Sequence, residues 1–273
     1  MESGTGKVAI SVAMGVYNPG NIEELYQAVD SVLNQTFDEF ELLLYDDASR
    51  PEVADVLQRI AEKDGRIRLL RGEKNQGLAH ALNDCIKHAK GEYIARMDAD
   101  DISAPERFGV QKAFLDTNRE YAFVGCNAEL FDEKGVWGTW TMTERPGVKA
   151  FLRYSPYIHP SVMFRKEVLI AAGGYRDTEE TRRCEDYELF MRLFAMGHHG
   201  YNIDKVLFSY REGREWQDKR KLSHRIAEMK IRYRGFRAMG AMRPKTWIYV
   251  IKPIVTAMIP RKICRYVRRG KAE

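Results

Sequence analysis

Cysteine is scarce in this sequence, and no apolar run is long enough to cross a bilayer. The four cysteines among 273 residues show neither the close pairs of a zinc site nor the pattern of a disulfide framework; they are Cys85, Cys126, Cys184 and Cys264. The stretch from Thr246 to Ile259 has 14 residues and contains Lys252 and Pro253, so it does not predict a transmembrane helix. No signal peptide follows Met1 and no repeat is present. We therefore expect a globular cytoplasmic protein.

Charge is distributed unevenly, although the net charge is only +5. From Arg211 to the C terminus, basic residues exceed acidic ones by 14, which leaves the first 210 residues at −9. A basic tail on an acidic body is suited to nucleic acid or to an anionic membrane surface. Because Thr246 to Ile259 is also apolar, we expect an amphipathic helix in a membrane interface. The alternative is a terminal helical pair packed on the body. No alternation of aromatic and basic residues predicts nucleic-acid binding.

The first hundred residues alternate four times between predicted strands and helices. This alternation is typical of a parallel sheet flanked by helices, in which right-handed crossovers bring the carboxyl ends of the strands to one edge. Capping and turn residues delimit the helices, with Gly91 expected to close the third. We expect strands at Val8–Met14, Phe40–Tyr45, Ile67–Leu70 and from Tyr93, and helices after Asn21, over Pro51–Lys63 and over Leu78–Ala89.

Acidic residues follow two of these strands. The pair Asp46-Asp47 ends the second strand, and the fourth is followed by Asp98, Asp100 and Asp101. Like charges this close repel one another unless a cation or hydrogen-bond donors compensate them, and carboxylate oxygens suit Mg²⁺ or Mn²⁺. The sequence therefore predicts a metal site beside a phosphorylated substrate. The alternative is a solvated acidic turn before the next helix, with Ser103 as the N-cap.

Beyond residue 118 the predicted elements are shorter. The apolar segments favour a mixed or antiparallel extension of the sheet, with a turn at residues 132–135; they are Ala122–Cys126, Ala128–Phe131, Val136–Thr141 and Ser161–Arg165. Gly173-Gly174 is expected to end a short helix. Cys184-Glu185-Asp186 is expected to open an amphipathic helix that runs to about Met196. From Arg211 onward the chain is predicted to be helical and basic.

The ordered motifs resemble the inverting glycosyltransferases of family 2, which have the GT-A fold. The resemblance runs from about Val8 to Tyr210 and rests on Val12-Ala13-Met14-Gly15-Val16-Tyr17-Asn18, Ser31-Val32-Leu33-Asn34-Gln35-Thr36-Phe37, Asp46-Asp47-Ala48-Ser49, Asn75-Gln76-Gly77-Leu78, Gly91-Glu92-Tyr93-Ile94, Met97-Asp98-Ala99-Asp100-Asp101, His159-Pro160-Ser161-Val162-Met163-Phe164-Arg165 and Glu185-Asp186-Tyr187. It implies an α/β protein with a Rossmann-like nucleotide-binding parallel sheet and a mixed-sheet acceptor part. The expected division is a GT-A domain at 1–210, with halves at 1–120 and 121–210, followed by basic C-terminal helices at 211–273.

The resemblance also implies roles for individual residues. Asp47 resembles the residue that accepts a hydrogen bond from the uracil imide, and Tyr17 resembles the ring that stacks on that base. Asp98 is similar to the residue that contacts the ribose, and Asp100 to the metal ligand on the diphosphate. His159 matches a family residue that lies near the metal and the diphosphate. Asp186 matches the catalytic base, and Glu185 is its usual neighbour. Gly15 departs from the family, which often has Pro or Thr there, so only backbone can act from this position.

These roles together imply an inverting transfer of sugar from a UDP-sugar, with Mn²⁺ or Mg²⁺, to a hydroxyl group of a glycan. The chemistry requires the same residue types, because a divalent ion neutralises the leaving diphosphate and a carboxylate takes the proton of the incoming hydroxyl. One base is sufficient, unlike the carboxylate pair of glycoside hydrolases. We expect a lipid-linked acceptor, a role in surface polysaccharide synthesis and a peripheral position at the inner face of the cell membrane.

Two other classes of protein fit part of the pattern. A phosphatase or phosphotransferase would use Asp98 as nucleophile and Asp100 as acid, but its motif normally follows the first strand, whereas this one follows the fourth. A non-catalytic, membrane-associated nucleotide-binding protein would have no need of a base such as Asp186. A nucleotidyltransferase is disfavoured because its basic, glycine-rich loop is absent from residues 15–20.

Overall fold

The computed structural model describes residues 8–212 and 221–258, in which nine strands form one sheet flanked by helices. Its first half is parallel, in the order β3-β2-β1-β4. The elements are β1 (Ile10–Val16), α1 (Ile22–Leu33), β2 (Phe40–Asp46), α2 (Pro51–Lys63), β3 (Ile67–Arg71), α3 (Leu78–His88) and β4 (Tyr93–Arg96). The parallel sheet predicted from the alternation is thus confirmed. Because the strand order reverses between β1 and β4, a ligand crevice is expected at their carboxyl ends.

The second half of the sheet is mixed, as predicted. Strand order continues β4-β8-β6-β9-β5, with β7 paired to β6. β8 is antiparallel to both β4 and β6, whereas β9 runs parallel to β6. The elements are β5 (Ile102–Ser103), α4 (Arg107–Thr117), β6 (Tyr121–Asp132), β7 (Gly135–Trp140), α5 (Val148–Arg153), a 3₁₀ turn (His159–Ser161), β8 (Met163–Arg165), α6 (Lys166–Ala171), α7 (Glu185–Ala195) and β9 (His199–Arg211).

Apolar side chains fill both faces of this sheet. Alternate residues of β1 point to opposite sides, so Val12 and Met14 join one buried cluster and Ala13 joins the other. The first cluster contains residues of α1, α2 and α4; the second contains residues of α3, α5 and α7. The sheet is therefore buried on both sides, as its continuous apolar strands predict.

Three local predictions were wrong because tertiary contacts decide the conformation. Gly91 does not end α3, which is capped at Ala89; a Cβ on Gly91 would lie 2.6 Å from the backbone nitrogen of Ser11. Ser103 is not an N-cap, since it lies in β5 and α4 begins after Glu106. The two strands expected around Asn127 are the single strand β6, whose register against β9 shifts at that residue.

Two C-terminal helices, α8 (Leu222–Ala238) and α9 (Trp247–Met258), pack against the body through Ile231, Phe236 and Val250. These side chains belong to the buried cluster that also contains α7. The boundary at residue 210 stays a prediction, with β9 itself ending at Arg211. The parts of the predicted basic tail at 213–220 and 259–273 lie outside the described residues. Within the described part of the chain, no helix is both long and apolar enough to span a bilayer.

Candidate active site

The carboxyl end of β4 carries a compact acidic cluster, formed by Asp98, Asp100 and Asp101. One oxygen from each carboxylate lies within 4.8 Å of the others. Asp101 is buried: its Oδ1 accepts a 2.8 Å hydrogen bond from the backbone nitrogen of Arg211, and its buried Oδ2 has no hydrogen-bond partner among the described residues. A buried oxygen without a partner lowers the stability of the fold unless a cation or a hydrogen-bond donor binds it. The donor set is therefore suited to a hard divalent ion.

Repulsion among these carboxylates contributes to raised pKa values at two of them. Asp100 is the most exposed of the three, yet partial loss of hydration and the charge of Asp98 raise the pKa of Asp100 to about 6. Burial and the same neighbouring charge raise the pKa of Asp101 well above its ordinary value. A bound divalent cation would reverse both effects because it stabilises the ionised carboxylates.

Two arginines hold the cluster in place. Arg96 ends β4 and is buried; its Nη1 lies 2.5 Å from Oδ1 of Asp98. Arg211 ends β9, and its Nε donates a 2.7 Å hydrogen bond to the backbone oxygen of Asp100. The other end of its guanidinium donates to Oε1 of Gln27 on α1 at 3.0 Å. The acidic segment is thus tied to the central strand behind it and to α1 beside it.

The carboxyl ends of β1 and β2 form the neighbouring part of the crevice. Asp47 is buried, and its carboxylate accepts three hydrogen bonds of 2.8 to 2.9 Å, from the side chain of Asn75 and the backbone nitrogens of Gln76 and Gly77. A carboxylate can accept about four, so one position remains. Tyr17 is 52% exposed, which leaves its ring available for stacking. The turn that carries Tyr17 is tied to the loop after β2 by a 3.1 Å hydrogen bond from the Asn18 nitrogen to Oγ of Ser49.

The N-terminal turn of α7 carries Glu185 and Asp186. Both complement the positive end of the helix. Burial and the charge of Asp186 raise the pKa of Glu185, whose buried Oε2 has no hydrogen-bond partner within the described segments. The charges of Asp186, Glu185 and Asp98 all act on buried Tyr175. The end of α7 and the acidic cluster therefore border the same polar region.

His159 lies in this polar region but outside the group of three carboxylates found among the described residues. It is buried, and its Nε2 is 2.8 Å from the Tyr175 hydroxyl. Burial and the nearby Arg96 charge lower the pKa of His159 well below its usual value, so the ring is neutral. A neutral imidazole is able to bind a metal. The metal-binding role of His159 nevertheless stays a prediction.

Residues 11–173 match the sequence model of glycosyl transferase family 2. The chain belongs to that family. EpsE of Bacillus subtilis strain 168, a protein named as a glycosyltransferase, is 34% identical over 93% of this chain and 91% of its own length. A UDP-Gal:alpha-D-GlcNAc-diphosphoundecaprenol beta-1,3-galactosyltransferase of Escherichia coli is 27% identical over 94% of each chain. The protein is therefore a glycosyltransferase, and the phosphatase and non-catalytic alternatives are wrong.

Solved structures of glycosyltransferases share the fold of this family 2 member. The 1–349 fragment of Staphylococcus aureus TarS, in complex with UDP-GlcNAc, matches with a TM-score of 0.66 at 16% identity, over 92% of this chain and 82% of the fragment. The mannosyltransferase PcManGT of Pyrobaculum calidifontis, in complex with GDP-Man and Mn²⁺, matches with a TM-score of 0.61 at 17% identity, over 98% and 81%. These matches confirm the GT-A fold.

Sequence reasoning gave no role to several residues that shape the site of this glycosyltransferase. Asp101 was recognised only as a member of the acidic run, although its unpartnered oxygen makes it a candidate metal ligand. Arg96 could have been identified from the sequence, because it is a charged residue at the end of an apolar run. No local sequence pattern identifies Tyr175, because its contact with His159 joins residues 16 positions apart.

Proposed function

We propose that this glycosyltransferase moves a sugar from a UDP-sugar to a hydroxyl group of a glycan, with inversion at the anomeric carbon. The observation that carries the proposal is the acidic cluster at the switch between β1 and β4, beside the crevice formed with Asp47 and Tyr17. Binding of UDP-GlcNAc and UDP by TarS, and the UDP-Gal named as substrate of the Escherichia coli relative, support a uridine nucleotide.

Asp98 and Asp100, with Asp101, would hold Mn²⁺ or Mg²⁺. The unpartnered oxygen of Asp101 and the raised pKa of Asp100 fit such an ion. When bound, the ion would neutralise charge on the leaving diphosphate. Asp98 would also contact the ribose, and its ion pair with Arg96 fixes the position of its carboxylate. His159 would lie near the diphosphate, with its ring oriented by Tyr175.

In the donor site, Asp47 would accept the uracil imide hydrogen at its remaining acceptor position. The three donors already bound to Asp47 hold its carboxylate in one orientation. The exposed ring of Tyr17 would stack on the base, a contact available to any nucleobase. Selectivity for uracil would therefore depend on Asp47.

Asp186 would act as the general base. Its carboxylate would take the proton of the acceptor hydroxyl as oxygen attacks the anomeric carbon, and UDP would leave from the opposite face. The helix N-terminus favours the ionised carboxylate that this step requires. Glu185 precedes Asp186 on the same helical turn, but Oε2 of Glu185 is buried and therefore less accessible to an acceptor hydroxyl, which makes Glu185 the weaker candidate.

The acceptor would be a lipid-linked glycan. The Escherichia coli relative is named for a diphosphoundecaprenol acceptor, and AmsE of Erwinia amylovora, 29% identical over 94% of this chain, is named for amylovoran biosynthesis. We place the protein in surface polysaccharide synthesis at the cytoplasmic face of the membrane, with the donor site in residues 1–120 and the acceptor site in 121–210.

Thermal unfolding of the full chain tests the donor site. UDP with Mn²⁺ is expected to raise the melting temperature more than GDP or CMP with Mn²⁺, because ligands that bind the native state stabilise it. Equal stabilisation by GDP would contradict the uracil assignment and favour the nucleotide bound by PcManGT. Release of UDP from a panel of UDP-sugars, followed by the anomeric configuration of the product, would test the transfer and its inversion.

A further inference from the structure

Helix α9 presents an apolar stripe to solvent. Trp247, Ile248, Ile251 and Val255 are 49%, 65%, 42% and 48% exposed. At 100° per residue these four side chains span about 100° of the helix surface. Val250 lies outside this arc and is buried against the body. The stripe is therefore additional to the face that α9 uses for packing.

A second exposed stripe lies on α8. Leu222, Ile226 and Tyr233 are 61%, 39% and 36% exposed and recur at helical spacing. The rings of Tyr233 and Trp247 lie 5.6 Å apart, so the two stripes meet. Together they form one apolar surface, here named the α8–α9 face. Contiguous apolar surface of this kind marks an interaction site.

Basic residues surround the α8–α9 face. Residues 221–258 contain nine Lys and Arg but a single acidic residue, Glu228, which is buried and paired with Arg232. Five of the basic residues are exposed on α8 and on the turn before α9: Lys230, Arg234, Arg237, Arg243 and Lys245. Lys230 and Arg234 each form an ion pair with Glu180 of the body, so the positive charge of this rim is concentrated at Arg237, Arg243 and Lys245. A surface notch of about 360 Å³ is lined by Arg243 together with Met242, Pro244 and Trp247. It combines an apolar wall with one guanidinium, as a phosphate headgroup and its adjoining chain require.

We propose that the α8–α9 face docks on a bilayer that contains anionic lipid. Apolar side chains would enter the acyl boundary while the surrounding Lys and Arg contact headgroup phosphates. A second copy of this chain is the poorer occupant, because a two-fold contact would set one basic rim against another. The proposal rests on the membrane position of the proposed function and names the surface that supplies it; it does not depend on which sugar is transferred.

The docking surface is attached to the helix that carries Asp186. Arg232 of α8 lies over the ring of Tyr187, 5.0 Å from its centroid, and Tyr187 directly follows Asp186. A Cβ on Gly235 would lie 2.4 Å from the sulfur of Met191, so α8 and α7 are in close contact. A membrane bound to this face would therefore hold α7 at a defined distance from the lipid surface.

Co-sedimentation of the full chain with vesicles tests the proposal. We expect binding to mixed phosphatidylglycerol and phosphatidylcholine vesicles that weakens with salt, and weaker binding to phosphatidylcholine alone. Ile248→Gln with Ile251→Gln should reduce partitioning about tenfold or more. The matched control is Val136→Gln with Ile170→Gln, at two positions that are each 58% exposed on β7 and α6; it should bind like the wild type.

Unchanged binding of the Ile248/Ile251 variant would overturn the proposal, as would no binding of the wild type to anionic vesicles at low salt. So would a dimer in solution that the same substitutions dissociate, because it would assign the face to a second copy. Melting temperature with UDP and Mn²⁺ is the parallel readout. The variant should retain the UDP response, so a failure of docking and a failure of the donor proposal are distinguishable.

Discussion

Nη1 of Arg96 lies 2.5 Å from Oδ1 of Asp98, and this pair leaves the acidic cluster with uncompensated negative charge. The Arg96 side chain is 3% exposed and that of Asp98 is 31% exposed, so the pair points from the core toward the crevice. One guanidinium offsets one carboxylate, whereas the pKa values of both Asp100 and Asp101 remain raised. The cluster therefore carries more negative charge than the neighbouring guanidinium offsets.

Replacing Asp100 by Asn should stabilise the metal-free protein. The folded-state pKa of Asp100 is about 6 and the unfolded-state pKa is about 4, so ionisation of Asp100 above pH 6 destabilises the folded protein. This destabilisation disappears as pH falls from about 6 toward about 4. The melting temperature should therefore rise at pH 7.5 by about 2 to 4 °C per kcal/mol of repulsion removed, with little gain near pH 4.

Scanning calorimetry with and without Mn²⁺ measures both parts of this prediction. The wild type should gain stability from Mn²⁺, and Asp100→Asn should lose most of that gain. Asp116 pairs with Lys112 and accepts a hydrogen bond from Tyr93, which begins β4 at the end opposite the cluster, so Asp116→Asn serves as a control that should leave the Mn²⁺ response intact. A full Mn²⁺ response in Asp100→Asn would place the ion elsewhere.

Asp186→Asn should reduce turnover by about two to four orders of magnitude, because the amide keeps the shape of the side chain but cannot take a proton. Stabilisation by UDP and Mn²⁺ should be unchanged, since the base does not bind the nucleotide. Glu185→Gln is the matched variant at the preceding position. If it, rather than Asp186→Asn, abolishes turnover, Glu185 is the base.

Tyr17→Ala should weaken donor binding by about 1 to 3 kcal/mol, the usual contribution of stacking on one base. The free energy of unfolding should barely change because the ring is half exposed. Titration calorimetry with UDP checks the affinity, and urea unfolding checks the stability. Equal affinity of Tyr17→Ala and the wild type would remove the ring from the site.

Asp47→Asn should lower both affinity and stability. The buried carboxylate accepts hydrogen bonds from Asn75, Gln76 and Gly77, and loss of charge-assisted bonds costs about 1.5 to 3 kcal/mol. Preference for UDP over GDP should disappear in the same variant. Retained preference, measured by thermal unfolding with each nucleotide, would assign uracil recognition to another group.

Glu41 should make the stability of the fold depend on acid pH. Burial opposes its ionisation, but hydrogen bonds from Ser11, Arg68 and the Lys90 nitrogen hold the pKa of Glu41 below its usual value. A depressed pKa contributes stability above the unfolded value near 4.5, and this contribution is lost as pH falls through the folded value. Glu41→Gln should therefore cost about 1.5 to 3 kcal/mol at pH 7, and the difference from the wild type should shrink in urea titrations below pH 4.

The parallel half of the fold was predictable because local signals agree with tertiary structure there. Asn21 caps α1 and Pro51 begins α2, as the sequence indicates. The mixed half was harder. Asn127 signals a break, yet its side chain bonds the Met142 nitrogen and Asp204, so the strand continues through a register shift. Such contacts join distant parts of the chain and have no local pattern.

The positions of the site carboxylates were predictable because these residues follow the ends of strands. Strand direction alone brings Asp47 and the acidic cluster to the same edge of the sheet. Partners of these carboxylates were not predictable. The contact of Arg211 with the cluster spans 110 residues and depends on β9 lying beside β5. The tie between His159 and Tyr175 likewise needs the packing of β8 and α6.

The two ends of the sheet differ in the substitutions that they tolerate. Ser11, Glu41 and Gly91 interlock at the amino ends of the strands, where even a methyl group on Gly91 has no room. The carboxyl ends carry the acids and the loops around them. Substitutions that diversify donor or acceptor choice can accumulate at the carboxyl edge while the amino edge preserves folding. A family with this architecture can therefore acquire new sugar specificities without redesigning its core.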